Sequence, residues 1–144
     1  MHLNYGLIGC GMMGHEHLRN IALIEDATVV GIVEPDDSMA SKAMQIAPTA
    51  ERHSSIQSLL ENPDLNCLVI VSPNHCHVEQ LKLVQELRPL PILVEKPLFT
   101  SPDDLAMLES FIASYDEPVW VAMEYRYMPP IALLREKVNE LTGG

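Results

Sequence analysis

The sequence has few basic side chains, and this shortage opposes two kinds of partner. It contains 9 Lys and Arg residues against 20 Asp and Glu residues, for a formal net charge of −11. Nucleic-acid binding needs a basic surface that neutralises phosphates, and an anionic membrane surface attracts the same kind of surface. We therefore expect neither a nucleic acid nor a membrane among the partners of this protein.

Long apolar runs are also missing. The longest are short segments such as residues 68–71 and 92–94, far below the roughly 20 apolar residues that a transmembrane helix needs. The N-terminus has no basic region and no cleavage site of small residues, so we expect no secretory signal.

Cysteine is scarce as well. The sequence has 3 cysteines, Cys10, Cys67 and Cys76, which are too few and too scattered for a disulfide framework. Cys67 falls inside an apolar strand pattern, where it is predicted to be a small core residue. We expect the reducing environment of the cytoplasm.

The sequence does contain a regular alternation of strand and helix patterns. Strands are predicted at residues 3–8, 28–33, 50–52, 67–71, 92–94 and 119–123. The predicted helices are a short one at residues 56–60, a last one at 131–141, and four with apolar faces at Leu18, Ile21 and Ala22; Met39, Ala43 and Ile46; Val78, Leu81, Val84 and Leu87; and Leu105, Leu108, Ile112 and Tyr115. The strands are continuously apolar, so helices should cover both faces of the sheet. The prediction is a single α/β domain with a doubly wound, mostly parallel sheet of the Rossmann type.

Two helix starts are marked by capping residues. Asp37 or Ser38 is expected to cap the second helix. Ser101 is expected to cap a later helix, with Pro102 at its first position and acidic residues in its first turn.

The first predicted strand and the first helix are joined by a glycine-rich string, Gly9-Cys10-Gly11-Met12-Met13-Gly14. This spacing occurs by chance elsewhere, but here it stands where the dinucleotide-binding fingerprint requires it. In that fingerprint Gly9 allows a tight turn, Gly11 lets the backbone approach a pyrophosphate, and Gly14 lets helix and strand pack closely. The pyrophosphate would meet unpaired N–H groups at the positive end of the helix dipole.

Glu34 stands at the end of the second strand, 20 residues after Gly14, where an acid can accept hydrogen bonds from the adenosine ribose. Its charge would repel the 2′-phosphate of NADP, and the next three residues supply no basic compensation. We therefore predict NAD over NADP, with Lys42 and Arg52 as the two cations that could fold back towards the site. A methyltransferase that uses S-adenosylmethionine also has a glycine loop and an acid at this place, so these residues leave that alternative open.

Two further strings follow predicted strand ends, where ligands bind in open α/β sheets. They are Ser72-Pro73-Asn74-His75-Cys76-His77 and Glu95-Lys96-Pro97. The clustered imidazoles and thiol suggest a metal site, but successive residues at a helix start do not converge on one ion, and no second ligand pair has zinc-like spacing. We predict no metal site. By itself, Lys96 would be a surface lysine in an ordinary loop.

Together these strings resemble the glucose–fructose oxidoreductase and inositol dehydrogenase family (Gfo/Idh/MocA), and the resemblance covers essentially the whole chain. It is carried by the glycine loop with His17, by Glu34, by Ser72-Pro73-Asn74 with His77, by Glu95-Lys96-Pro97, and by Tyr125-Arg126-Tyr127 with Pro129. A methyltransferase has no reason to carry the Glu-Lys-Pro string. The resemblance implies the nicotinamide-cofactor-binding domain of an oxidoreductase that transfers hydride between NAD(P) and a small hydroxylated substrate such as a sugar, polyol or cyclitol.

The resemblance also implies roles for individual residues. The cofactor would be bordered by Ser72, Pro73, Asn74 and His77, and its nicotinamide end by Glu95, Lys96 and Pro97. Lys96 would be the active-site lysine that hydrogen-bonds the reacting oxygen of the substrate, where a cation stabilises a developing alkoxide. The Lys96–Pro97 peptide is often cis in this family. His15 and His17 are expected to be partly exposed helix residues, and Cys10 to pack against the cofactor through its backbone, although its place near a helix N-terminus can favour a thiolate.

Finally, the resemblance implies a second domain with substrate contacts, a catalytic histidine and much of an oligomer interface. We divide this chain into a dinucleotide-binding domain over residues 1–124 and a linker and helix over 125–144 that would lead to that second domain, which is missing here. The expectation is a homo-oligomer whose 144-residue chain binds NAD without turning over substrate. The alternative is a catalytically inactive NAD-binding module that acts as a sensor or an assembly partner.

Overall fold

The computed structural model describes residues 2–142, and in them six strands form one parallel sheet. The strands are β1 (Leu3–Ile8), β2 (Ala27–Val33), β3 (Glu51–His53), β4 (Cys67–Ile70), β5 (Ile92–Glu95) and β6 (Val119–Ala122). Their order across the sheet is β3-β2-β1-β4-β5-β6, and all five neighbouring pairs run parallel. The chain changes direction across the sheet between β1 and β4, which creates a crevice at the carboxyl ends of these strands. The predicted doubly wound sheet is confirmed.

Helices connect the strands. They are α1 (Met12–Ile21), α2 (Asp37–Ile46), α3 (Ile56–Leu60), α4 (His77–Leu87), α5 (Leu105–Ser114) and α6 (Pro129–Thr142). Short 3₁₀ turns precede the last three helices, at Asn74–Cys76, Pro102–Asp104 and Glu124–Tyr127. The strand bounds agree with the predicted ones to within a residue, and the ends of α6 to within two. The predicted segment 125–144 ends in Gly143 and Gly144, which lie outside the described residues.

The core lies on both faces of the sheet, as the continuously apolar strands require. On one face Leu68, Ile70 and Ile92 pack in a cluster with residues of α3, α4 and α5. On the other face Leu7 and Ile32 belong to a cluster with residues of α1 and α2. Each buried leucine or isoleucine contributes about 1.5–3 kcal/mol relative to exposure, so the central strands are strongly anchored.

The N-terminal cap of α2 differs from the prediction. Asp36 is the capping residue, with extended backbone geometry and a side-chain oxygen that accepts a hydrogen bond from the backbone N–H of Met39 at 2.8 Å. Asp37 is already the first helical residue, so neither Asp37 nor Ser38 is the cap. Three polar residues in succession made the cap ambiguous by one or two positions.

The start of α5 is as predicted, and its predicted apolar face is correct at Leu108 and Tyr115 but wrong at Leu105 and Ile112. The Ser101 hydroxyl accepts a hydrogen bond from the N–H of Asp103, and the Asp104 carboxylate accepts one from the N–H of Ser101. The core contacts come from Leu108 and Phe111, whereas two other apolar residues expected on that face are exposed. These exposed residues are Leu105 and Ile112 in α5. Ala22, just after α1, and Leu87, at the end of α4, were also predicted on apolar faces and are also exposed. Apolar residues surround much of α5, so periodicity alone does not select the buried stripe.

Helix α6 packs mainly against the 3₁₀ turn that precedes it. It exposes large apolar side chains, among them Leu133, Leu134 and Leu141, the last with 87% of its surface accessible. No helix within residues 2–142 is long and apolar enough to cross a membrane.

Candidate functional site

A cleft of about 1040 Å³ opens at the carboxyl ends of β1, β2 and β4, where the strand order changes direction. This is the place where open α/β sheets bind ligands, and the volume is at the upper end of the range for ligand pockets. The predicted site residues that line it are Gly9, Gly11, Met12, Met13, Glu34, Ser72 and Pro73. Lining residues that the sequence did not single out for this role include His53, Ser54, Cys76 and Gln80.

The three glycines of the loop differ in why the structure has glycine at each position. Gly9 has φ +92°, and a Cβ on it would lie 2.6 Å from the backbone nitrogen of Ser72. A Cβ on Gly14 would lie 2.7 Å from the carbonyl oxygen of Gly9. A Cβ on Gly11 would meet nothing within 4 Å. Protein packing therefore explains Gly9 and Gly14, while Gly11 leaves open a space that an approaching ligand can fill.

The N-terminus of α1 faces this open space with unpaired donors. Gly11 is the N-cap, no side chain caps the helix, and its first turn holds no acidic residue. The first N–H groups of a helix lack intrahelical acceptors and carry the positive end of the helix dipole. The open position at Gly11 and these donors together fit a pyrophosphate.

Glu34 is buried at the end of β2, with 7% of its surface exposed. Its Oε2 accepts a hydrogen bond from the N–H of Cys10 at 2.6 Å, and its Oε1 accepts one from the N–H of Asp36 at 2.9 Å. An ionised carboxylate offers about four acceptor sites, so two remain for hydroxyl groups in the cleft. Glu34 thus ties β2 to the glycine loop and can still accept hydrogen bonds from a ribose.

Arg52 lies at the same end of the cleft. Its Nη2 and Nε donate to the carbonyl oxygen of Glu34 at 2.8 and 3.2 Å, and its Nη1 donates to Asp37 Oδ1 at 2.8 Å. Lys42 and Arg52 are the two cations that were expected to be able to fold back here. Arg52 lines the cleft, whereas Lys42 is exposed on α2 and is not among the lining residues.

The loop after β4 forms another wall. The hydroxyl of Ser72 donates to Gln80 Oε1 at 2.5 Å, which ties the loop to α4. Ser72 and Pro73 line the cleft together with Cys76, while Asn74 is exposed at the start of the 3₁₀ turn.

His77 is not among the residues that line the cleft, and the expectation that it borders the cofactor stays a prediction. It is fully buried, and its Nδ1 lies 2.9 Å from the carbonyl oxygen of Pro97 and its Nε2 3.0 Å from that of Ser72. Each ring nitrogen lies within hydrogen-bond distance of a carbonyl oxygen and donates to it where that nitrogen carries the hydrogen, so the ring lies between the loop after β4 and the loop after β5 and contacts both. The second loop therefore adjoins the edge of the cleft.

Glu95, at the end of β5, is buried and engaged as well. Its Oε1 lies 2.9 Å from His17 Nε2, and its Oε2 accepts a hydrogen bond from the N–H of Lys96 at 3.2 Å. Glu95 therefore ties this loop to α1, and unlike Glu34 it is not among the residues that line the cleft. His17, expected only as a partly exposed helix residue, has a side chain that is 16% exposed and makes this long-range contact.

Lys96 lies exposed on the loop after β5, and its peptide bond to Pro97 is cis. Among residues 2–142 no carboxylate lies within 4.0 Å of its Nζ. Its ammonium group is therefore exposed and without a carboxylate partner in the described part of the chain, and Lys96 is not among the residues that line the cleft.

The two buried cysteines are thiols. Burial raises the pKa of Cys10 to about 12, with a further contribution from the charge of Glu34. Burial also raises the pKa of Cys67 to about 12. A thiolate at Cys10, which its place near a helix N-terminus could have favoured, is thus wrong, and Cys10 contributes its backbone N–H to Glu34. Within the described part of the chain, no three His, Cys, Asp or Glu side chains cluster as metal ligands would.

A family model described as "Oxidoreductase family, NAD-binding Rossmann fold" (Gfo/Idh/MocA) matches residues 3–123. Inositol 2-dehydrogenase 4 from Saccharopolyspora erythraea is 30% identical over 139 residues, which are 95% of this chain and 41% of that protein. An inositol 2-dehydrogenase from Corynebacterium glutamicum is 28% identical over 144 residues, which are 99% of this chain and 42% of that protein. The chain thus spans about two fifths of the length of these relatives.

Solved structures show the same similarity. The crystal structure of myo-inositol dehydrogenase from Lactobacillus casei, in complex with NAD(H) and myo-inositol, has a TM-score of 0.86 and 26% identity, over 97% of this chain and 42% of that one. The scyllo-inositol dehydrogenase of the same organism has a TM-score of 0.88 at 18% identity, over 97% of this chain and 42% of that one, which shows the fold alone.

Proposed function

The chain belongs to the Gfo/Idh/MocA oxidoreductase family as an NAD-binding Rossmann domain, and on that premise we propose that it serves a dehydrogenase acting on a polyol or cyclitol such as inositol. The observation that carries the proposal is the cleft at the glycine loop, where the open position at Gly11 meets the uncapped N-terminus of α1. The exposed Lys96, which has no carboxylate partner within residues 2–142, adds a cation that is free to bind a substrate oxygen. The relatives named as inositol 2-dehydrogenases supply the substrate class.

Different residues of the cleft would bind different parts of the cofactor. The N-terminus of α1 and the open side of Gly11 hold the pyrophosphate, and Glu34 accepts hydrogen bonds from the adenosine ribose. Ser72 and Pro73 line the cleft further along. Glu95 and His77 act from the interior by fixing the two loops that border it, and Asn74 and Pro97 belong to those loops.

NAD, when bound, would accept the hydride that leaves the carbinol carbon of the substrate. Lys96 would donate a hydrogen bond to the hydroxyl oxygen, and the proton of that hydroxyl would pass to the catalytic histidine that the resemblance implies in the second domain. An ammonium group stabilises the negative charge that develops on this oxygen as the hydride moves. A buried Glu95 just before Lys96 limits where the backbone of Lys96 can move, since it accepts the N–H of that residue.

We further propose that catalysis needs more than this chain. Residues 1–124 form the dinucleotide-binding domain, and 125–144 form a linker and helix towards a second domain that would hold the substrate. Two features support this division: the family match ends at residue 123, and α6 exposes Leu133, Leu134 and Leu141. Positioning of the reacting atoms accounts for about 7–11 kcal/mol of barrier lowering, which an open cleft does not supply. We place the enzyme in the cytoplasm as a homo-oligomer, in keeping with its free cysteines and these exposed side chains.

The test compares the 144-residue chain with a chimera in which it replaces the matching N-terminal part of the Corynebacterium glutamicum relative. Both are titrated with NAD by calorimetry and assayed with inositols, polyols and sugars by NADH absorbance. We expect both to bind NAD and only the chimera to turn over substrate. Turnover by the short chain at a rate near that of the chimera would contradict the proposal.

The role of Lys96 is tested in the chimera with a matched control. Lys96→Ala should lower kcat by about a hundredfold or more, as for removal of an electrostatic stabiliser of the transition state. Lys82→Ala, on α4 and paired only with Glu86 at 4.0 Å, should leave kcat unchanged. If both variants retain full activity, Lys96 has no catalytic role. NAD binding without turnover in either protein would favour the alternative of a non-catalytic NAD-binding module.

A further inference from the structure

Among residues 2–142, Arg52 is the one arginine that lines the cleft, and several carboxylates surround it. Arg52, the middle residue of β3, donates hydrogen bonds to the backbone carbonyl oxygen of Glu34 and to the side chain of Asp37. We propose that Arg52 is a positioning residue that determines cofactor selectivity. It holds the ribose-binding loop, and its guanidinium is paired with Asp37, so that it does not bind a 2′-phosphate. The inference rests on the assignment of this cleft to NAD.

The hydrogen bonds of Arg52 explain how it holds the loop. Its Nε and Nη2 converge on the carbonyl oxygen of Glu34, and Nη2 also reaches that of Pro35 at 3.3 Å. The carboxylate of Glu34 is fixed by the N–H groups of Cys10 and Asp36. Residue 34 is therefore held from its backbone side by Arg52 and from its side-chain side by the glycine loop. Only a planar guanidinium offers donors in this fork, which a lysine cannot reproduce.

The charges around Arg52 explain the selectivity. Asp37 Oδ1 lies 2.8 Å from its Nη1, and Glu34 adds a second carboxylate in the cleft wall. The exposed Asp36 adds a third beside them. With one guanidinium against these acids, a 2′-phosphate would meet a net negative environment, although a cation lies within the site.

The same geometry implies a latent phosphate site. Arg52 has five N–H groups, and one on Nη1 has no acceptor among the described residues. The Arg52–Asp37 pair is partly exposed, with side-chain accessibilities of 37% and 90%, and such pairs are weak. Once Glu34 and Asp37 are neutral, Arg52 can turn its free donors to a phosphate and bind it with charge-assisted hydrogen bonds.

The experiment measures NAD and NADP dissociation constants of the 144-residue chain by calorimetry. The starting variant is Glu34→Ser with Asp37→Asn, which removes both negative charges and makes room at residue 34. Arg52→Gln and Arg52→Lys are then added to it separately, and Lys42→Gln serves as the matched control, a cation on α2 outside the cleft lining.

We expect the double variant to bind NADP at least about tenfold more tightly than the wild type does, and Arg52→Gln to remove that gain, as for loss of one hydrogen bond to a charged group. Arg52→Lys should retain part of the gain, because the charge remains. In the wild-type background Arg52→Gln should weaken NAD binding by less than it weakens NADP binding in the double variant. A general loss of structure would instead weaken both cofactors equally.

An NADP affinity of the double variant that is unchanged by Arg52→Gln, or changed as much by Lys42→Gln, would overturn the inference while leaving the cofactor cleft in place. A wild-type chain that binds NAD no better than background would overturn the cleft assignment and this inference together.

Discussion

Adding one methyl group to the glycine loop should separate cofactor binding from stability. At Gly11 the backbone has φ −68° and ψ −161°, which alanine adopts freely, and a Cβ would meet nothing within 4 Å. At Gly14 a Cβ would lie 2.7 Å from the backbone oxygen of Gly9, which cannot move aside as a flexible side chain would. Gly11→Ala should therefore leave the fold intact, whereas Gly14→Ala should strain it.

The magnitudes follow from these distances. For Gly11→Ala, the reduced entropy of the unfolded chain stabilises by about 0.4–1 kcal/mol, and the poorer N-cap offsets a similar amount, so the free energy of unfolding should change by less than about 1 kcal/mol. For Gly14→Ala, overpacking should cost about 1–3 kcal/mol. In a domain of this size each kcal/mol corresponds to roughly 2–4 °C in Tm.

For NAD affinity, in contrast to stability, Gly11→Ala should be the more harmful of the two variants. The methyl group of Gly11→Ala enters the space assigned to the pyrophosphate, so NAD binding should weaken by at least about tenfold, or 1.4 kcal/mol. Thermal unfolding followed by circular dichroism and NAD titration by calorimetry measure the two effects on the same samples. The reasoning is refuted if Gly11→Ala binds NAD as the wild type does, or if it lowers Tm as much as Gly14→Ala.

Three further predictions follow from particular contacts. His77→Ala removes the buried ring between the carbonyl oxygens of Ser72 and Pro97 and leaves at least one of them without its donor. The free energy of unfolding should fall by about 1–3 kcal/mol. Urea unfolding measures this change, and an unchanged midpoint would contradict the bridging role. The pKa of the Cys67 thiol is about 12 in the folded chain and 9.0 in the unfolded chain. The stability that Cys67 contributes should therefore be complete below pH 9 and be lost as the pH rises towards 12. Cys67→Ala should flatten this alkaline decline in the midpoints of urea unfolding. The exposed apolar residues Leu133, Leu134 and Leu141 should produce self-association that depends on concentration; Leu134→Glu should reduce it in sedimentation velocity, and a wild-type monomer at high concentration would contradict it.

Local features of the sequence were sufficient for the architecture. Five of the six strands are short apolar runs, the exception being the polar edge strand Glu51–His53, and the GxGxxG string lies between a strand and a helix. Each of these signals acts within about ten residues, so the order of elements and the place of the cleft follow from the sequence alone. Even the capping box at Ser101 is a local pattern, because its partners Asp103 and Asp104 are two and three residues away.

Features that depend on distant parts of the chain do not follow in this way. His17 and Glu95 are 78 residues apart, and nothing near either residue indicates the other. Arg52 reaches Asp37 and Glu34 across β2 and β3, which become neighbours only in the sheet. The buried role of His77 likewise depends on the loop after β5. The sequence indicated which residues stand near the cleft, but not which of them face it and which support it from behind.

Buried side chains that link the loops around the cleft should affect how tightly the cleft binds its ligand. The loops that line the cleft follow β1, β2, β3 and β4, and the loop after β5 is held against one of them. Buried side chains join several of these loops to each other and to α1. Glu34 joins the glycine loop to β2, His77 joins the loops after β4 and β5, and Glu95 joins the last of these to α1 through His17. Loops fixed in this way need little ordering when a ligand arrives, and ordering is one of the main free-energy costs of binding. A variant that breaks one of these three links should therefore weaken NAD binding although its side chain need not touch the cofactor, and the loss should be greater in entropy than in enthalpy.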